Sequence, residues 1–180
     1  YATPEPIDTL TMATHVAFMR KGEILQYGEE RDVYRNPAHA AVGSYFCHPQ
    51  MNMIPCSMEN RESGESLLRV SQELAFEVSL DRQKLPSDRY LLGIRPHHLY
   101  LADPLNRMVP FQANVELAEV VGSNTELHLS HDAVRISLLM QQVERFPVGK
   151  KVTAFIDPDE LYIFDSETGT FVIRTGNRFK

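Results

Sequence analysis

At 180 residues with 43% hydrophobic content, the chain is long enough for one sizeable domain, or for a small domain joined to a piece of another. Its formal net charge is −6, and its 18 Lys and Arg residues are scattered singly or in pairs. That leaves no basic stripe to displace counterions from phosphates, so nucleic acid is not an expected partner. No apolar run nears the roughly 18 residues that a bilayer span needs, and no basic, then apolar, then small-residue leader opens the chain; a soluble protein is expected.

Elements with α/β grammar come first. The stretch "IDTLTMA" places Ile7, Leu10 and Thr11 along one side of a helix, with Asp8 near its positive end. "HVAFMR" is a short apolar run that predicts a strand buried on both faces, and "KG" turns it into "EILQYG" as a hairpin partner. "EERDVYRNP" opens with acids and stops before Pro37, which disfavours helix in the residue preceding it. "AHAAVGSYF" predicts one more short helix. About 46 residues of this kind cannot bury a core alone. They must pack on the remainder of the chain or be the end of a larger α/β domain.

The pattern changes at "CHPQMNMIP". Beyond it run short alternating stretches split by Gly, Pro, Asp and Asn: "SLLRVS", "AFEVSL", "YLLGIR", "HLYLA", "FQANVELAEVV", "TELHLS", "VRISLL", "KVTAFI", "LYIFD" and "TFVIR". Turn signals at this spacing predict an all-β barrel or sandwich. In "VELAEVV", strict alternation puts Val115 and Leu117 on one face and Glu116 and Ala118 on the other. Cys47 and Cys56 are the two cysteines, read as reduced thiols rather than a redox pair.

Several constellations could carry chemistry. His97 and His98 are adjacent and His128 and His131 three apart, spacings that make ligands diverge on a strand; His97 is expected in solvent and His98 packed at a turn. The acids of "DPDE" (157–160) and "DSE" (165–167) stand beside turn formers, where Asp serves the turn. Tyr90, Tyr100, Phe111, Phe155, Tyr162 and Phe164 lack interleaved basic residues and read as core rather than as a base-stacking platform. Glu119, Gly122 and Thr125 stay open between a bulge that closes a barrel and a contact surface for a partner domain or small ligand.

Taken together, "YAT" and "LTMATHVAFMRKGEILQYGEERDVYRNPAHAAVGSYF", with Pro49, Met51 and Asn52 after it, resemble the last segment of an ABC-transporter ATPase of the maltose and glycerol-3-phosphate importer type. The rest resembles that family's C-terminal regulatory domain, an oligonucleotide/oligosaccharide-barrel-like (OB-like) module. "GIRPHHL" carries Gly93, Arg95 and Pro96, with His97 where the family has Glu. "VELAEVVGSNTELHL" carries Glu119, Gly122 and Thr125, and "IDPDELYIFDSETG" carries Pro158, Phe164 and Gly169. The resemblance implies a mainly β fold: an OB-like regulatory and dimerisation module over 47–180, preceded over 1–46 by the α/β tail of a nucleotide-binding domain.

It also implies a role. A full-length parent would bind ATP and Mg and couple hydrolysis to the import of sugars, glycerol-3-phosphate or polyols. Its partners would be a second ATP-binding subunit in a homo- or heterodimer, transmembrane permease subunits and a regulatory protein, at the inner face of the cell membrane. The chain itself has no Gly-x-x-x-x-Gly-Lys-Ser/Thr loop, so no catalytic, cofactor or metal residue is expected in it. Where the family's switch has a His after Thr3, Pro4 stands, followed by Glu5. Proline brings neither a side-chain donor nor a backbone N–H. Three readings compete: a site that binds ATP but turns it over poorly beside a competent partner, Glu5 facing the phosphate instead, or a rearranged and dead loop. The rival function is a small-ligand sensor, an OB-like module for an oxyanion or sugar.

Overall fold

The computed structural model describes residues 1–60, 66–78, 80, 85 and 87–176. Helix α1 (Pro6–Met12) takes Pro6 in its first turn, where a missing N–H leaves no intrahelical bond unmade. Strands β1 (His15–Arg20) and β2 (Glu23–Glu29) form an antiparallel hairpin. Lys21 and Gly22 make its two-residue turn with φ of 51° and 85°, the sign that the twist of a tight hairpin demands at both positions. Helices α2 (Glu30–Arg35) and α3 (Ala40–Tyr45) come next. The Gln26 side chain braces their connection, donating to the Asn36 carbonyl at 2.9 Å and accepting from the Ala38 N–H at 2.8 Å.

Val16, Val33, Val42 and Phe46 form a small core for this segment. The prediction that β1 is buried on both faces is corrected: Val16 is its one buried residue, and Met19 is 63% exposed. A short apolar run reads the same in a central strand and in a two-stranded ribbon, and only tertiary neighbours tell them apart.

The remainder is the mainly β, barrel-like module expected, with every strand pairing antiparallel. One sheet contains β3 (Asn52–Asn60), β4 (Ser66–Arg69), β5 (Ala75–Val78), β6 (Arg89–Ile94), β12 (Leu161–Asp165) and β13 (Phe171–Arg174), in the order β13-β12-β6-β3-β4-β5. The other contains β7 (Leu99–Tyr100), β8 (Val109–Val121), β9 (Asn124–His131), β10 (Val134–Met140) and β11 (Lys151–Ile156), in the order β10-β9-β8-β11-β7. One core lies between them, with Ile54, Leu68, Leu92 and Ile94 from the first sheet meeting Leu127, Leu129, Leu138 and Ile156 from the second. All ten runs named in the sequence fall on strands; Ser79, in "AFEVSL", lies outside the described residues.

Strand β3 was not foreseen. Its sequence holds Pro55, and a proline argues against a central strand because it cannot donate to a ladder. The stagger of the sheet resolves this. Residues 52–57 of β3 pair with β6 and residues 57–60 with β4, so Pro55 has a neighbouring strand on one side and an open edge on the other.

Asn52, at the start of β3, ties the two sheets together. Its buried amide donates to the Ser137 carbonyl of β10 at 2.8 Å and accepts from the Ser137 N–H at 2.7 Å. It also donates to the Ile94 carbonyl at 3.1 Å. The side chain thus acts as one peptide group of a strand that is not there, capping an edge that would otherwise be unpaired. Asn52→Ala leaves those groups of Ser137 and Ile94 without their partner. It should lower the unfolding free energy in urea by about 2–3 kcal/mol, and an unchanged midpoint and slope would contradict the tie.

Candidate functional site

Six of the motif residues named from sequence fall in two separate places. Gly93, Arg95, Phe164 and Gly169 converge where residues 1–46 meet the β module, whereas Glu119 and Gly122 lie on the β8–β9 hairpin. At the first place, strand β6 delivers Arg95 just beyond its end, and Pro96 starts a one-turn 3-10 helix (Pro96–His98) that turns the chain away.

Arg95 is 1% exposed. Its guanidinium carbon lies 3.7 Å from the centre of the Tyr34 ring of α2 and 5.3 Å from that of Tyr162 of β12. One N–H donates to the Tyr34 carbonyl, while Nε and Nη1 have no acceptor among the described residues. No ion pair to Arg95 occurs among the described residues. A desolvated cation without a counter-charge carries a penalty of several kcal/mol, and stacking on aromatic faces returns about 2 kcal/mol of it. Arg95 therefore fixes how the two parts fit more than it strengthens their union.

Close packing completes this joint. A Cβ on Gly93 would lie 2.8 Å from Phe164 Cε2 and 2.9 Å from Met51 Sδ, so only glycine lets the Met51 and Phe164 side chains sit over β6. Cys47, Met51, Tyr162 and Phe164 form the buried cluster beneath. At its edge, residues 38–40 lie against the start of β13: the Ala40 N–H donates to the Gly169 carbonyl at 2.8 Å, and the Phe171 N–H to the Ala38 carbonyl at 2.9 Å. The His39 ring packs on Gly169, whose φ is +74°, and its Nε2 lies 3.0 Å from the Thr168 carbonyl. His39 Nδ1 accepts the Ala41 N–H at 2.9 Å and so caps α3.

The electrostatics of the joint favour neutral neighbours. Burial, reinforced by His98 and Arg95, pushes the His97 imidazole down to about 4. Burial, with Arg95 and Arg174, does the same for His98, also to about 4. His97 is thus half-buried rather than in solvent as expected, because the 3-10 turn folds its ring against that of His98, 4.4 Å away between centroids. Burial raises the Cys47 thiol to about 11 against the opposing pull of Arg95, and raises Cys56 to about 12. Both thiols are free and protonated at neutral pH.

The second place is the hairpin, and here the strand reading is corrected. The β8–β9 register shifts between Val115 and Leu117, so Glu116 is an extra residue that turns every later side chain to the opposite face. Val115 is 1% exposed and Leu117 45%, while Ala118 turns inward to the core. The bulge is therefore at Glu116. Gly122, with φ +62°, makes the tight turn between β8 and β9 instead. Glu119 stands opposite Glu126, and His128 Nε2 lies 3.4 Å from a carboxylate oxygen of each. Thr125 is fully buried, donating to the Gln142 carbonyl at 2.8 Å and accepting from the Glu144 N–H at 2.9 Å, so it anchors the β10–β11 connection. An open groove of about 360 Å³ beside the bulge is lined by Glu116, Leu117, His128, Arg135 and Ser137 among others.

The other acids serve turns. Asp157 Oδ1 accepts the Asp159 N–H at 3.0 Å in the turn that holds Pro158, and Asp165 Oδ1 accepts from the Glu167 and Thr168 N–H groups. His128 and His131 point to opposite faces of β9, and no group of three or more His, Cys, Asp or Glu among the described residues could hold a metal ion. Pro4 and Glu5 are exposed at the entry to α1, where the Glu5 side chain makes no capping bond. The Tyr34–Arg95 contact was missed in the sequence because nothing local links two residues 61 apart.

Residues 92–164 match the TOBE domain family. The chain is 29% identical to a xylose/arabinose import ATP-binding protein of Haloferax volcanii, over 96% of this chain and 46% of that protein. It is 24% identical to an sn-glycerol-3-phosphate import ATP-binding protein of Vibrio cholerae, over 96% and 45%. It is 29% identical to a trehalose/maltose import ATP-binding protein of Thermococcus litoralis, over 94% and 47%. The chain spans about half the length of these relatives and matches their C-terminal part. A solved structure of the cytoplasmic molybdate-binding protein ModG overlays on 62% of this chain with a TM-score of 0.46 and 12% identity. No helix of the described residues is long and apolar enough to cross a membrane.

Two outcomes are expected from the packing and charge of the joint. Gly93→Ala should lower stability by about 1–3 kcal/mol through overpacking, read from the urea midpoint. The two histidines bind fewer protons folded than unfolded, so their contribution is complete above about 6.5, the ordinary value, and is lost as pH falls toward about 4. The loss should be about 1–2 kcal/mol for each after allowance for partial exposure. His97→Asn with His98→Asn should flatten the pH profile in that window, and an unaltered profile would contradict the assignment.

Proposed function

We propose that this chain, whose residues 92–164 match the TOBE domain family, is the regulatory and dimerisation portion of the ATP-binding subunit of an ABC importer for sugars, glycerol-3-phosphate or polyols. Residues 1–46 are the tail of the nucleotide-binding domain and residues 47–180 the OB-like regulatory domain. The supporting observation is similarity along 94–96% of this chain to three proteins named for importing different solutes. In this reading other parts of the transporter choose the cargo, which the differing solutes of these relatives support. ATP and Mg belong to the phosphate-binding residues of a longer polypeptide, and this portion has no chemistry of its own.

Its task in that reading is mechanical. The regulatory domains hold two ATP-binding subunits together at the cytoplasmic face of the membrane while permease subunits respond to nucleotide. Long antiparallel sheets with open edges suit pairing with a second copy. Pro4 marks a switch position that cannot orient water or contact a phosphate through its side chain, consistent with an asymmetric pair in which the partner subunit hydrolyses ATP.

Two measurements on the 180-residue chain test the proposal. Sedimentation equilibrium should show a reversible dimer, and a monomer at every concentration would contradict the assembly role. Incubation with Mg-ATP should give no phosphate release above buffer, and magnesium-dependent turnover would overturn the assignment of all chemistry to other residues.

A further inference from the structure

The contact between residues 1–46 and the β module differs in kind from the interiors on either side of it. Each part has its own apolar core, built around Val33 and Val42 in one and around Leu92 and Leu127 in the other. Between them lie two backbone hydrogen bonds joining residues 38–40 to 169–171, the His39 contact to Thr168, a small cluster around Met51, and Arg95 against Tyr34. Among the described residues, Arg95 is the one charged side chain of the largest fully buried set, and two of its three nitrogens have no acceptor there. Its charge acts on Tyr34, Cys47, His97 and His98, and no carboxylate among the described residues forms an ion pair with it.

We propose that Arg95 is a releasable latch: a buried cation, without an ion pair among the described residues, that holds the closed joint near balance, so that residues 1–46 can part from the β module without unfolding it. The physical reason is a difference between two states of the same residue. In the closed joint the guanidinium is stripped of water and only partly repaid by two rings and one carbonyl. When Tyr34 withdraws, one wall of its site is lost and water reaches all three nitrogens. Closing therefore works against rehydration, and the hydrogen bonds at residues 38–40 and 169–171 are the first to feel it. An apolar side chain of similar length would carry no such penalty and would make the seam permanent. The latch deepens the assembly role proposed above but does not depend on it, because it concerns this chain alone.

Hydrogen exchange on the whole chain, followed by NMR, tests the latch. The Ala40 and Phe171 amides should exchange through a local opening, far faster than the Leu92 and Ile163 amides of the β core. Arg95→Met, which keeps length and packing between the rings, should slow exchange at Ala40 and Phe171 by about tenfold, or about 1.4 kcal/mol, and leave the core amides unchanged. Tyr34→Ala, which removes the ring and spares the β module, should speed exchange at the same two amides only. Faster joint exchange in Arg95→Met would show that the cation cements the joint and would overturn the proposal. Exchange of joint and core at one common rate would overturn it equally, since no separate opening would exist.

Discussion

A buried guanidinium with no ion pair among the described residues is the constraint around which this molecule is arranged. Arg95 can remain dry only if two aromatic faces and a carbonyl surround it, and these come from α2 and β12. That requirement fixes where α2 rests on the β module and how close Tyr162 must come, and Arg95 adds to the burial that keeps the two histidines just after it neutral. Gly93 belongs to the same arrangement, because a larger residue would push Met51 and Phe164 away from the strand that delivers Arg95. The motif that looks like a row of unrelated residues in the sequence is one packing solution.

Asn52 serves the other half of the architecture. Two antiparallel sheets with a shared core still present edges, and at the edge strand β10 an amide side chain takes the place of a neighbouring strand. Asn52 comes directly after Met51, which packs against Gly43 of α3 as well as Gly93 of β6. The closure of the β module and the seating of residues 1–46 thus depend on adjacent side chains at the start of one strand. This coupling suits a portion whose proposed role is to transmit position rather than to perform chemistry.

Much of the fold was legible because it rests on local pattern. Strand β9 alternates between half-buried and buried at every residue, as its alternating sequence requires, and α2 ends where Pro37 says it must. The rest was hidden for definable reasons. A single extra residue at Glu116 reverses the faces of β8 beyond it, yet leaves the alternation of the letters undisturbed. Pro55 concealed β3 because the stagger that gives it an open side is a property of the sheet. At the site, glycines and turn acids could be placed from sequence, whereas the contact of Arg95 with Tyr34 joins distant residues and has no local signal. The family resemblance supplied the names of the motif residues but not the reason for their proximity.

The most direct test of this account is the Nε–H proton of Arg95, observed by nitrogen-edited NMR of the labelled chain. A guanidinium stacked on Tyr34 should give an Nε–H shifted upfield by ring current, cross-peaks to the Tyr34 ring protons, and slower exchange with water than the exposed Arg135. An Arg95 Nε–H at the shift of a free arginine, exchanging as fast as Arg135 and without contact to Tyr34, would contradict the arrangement on which the rest is built.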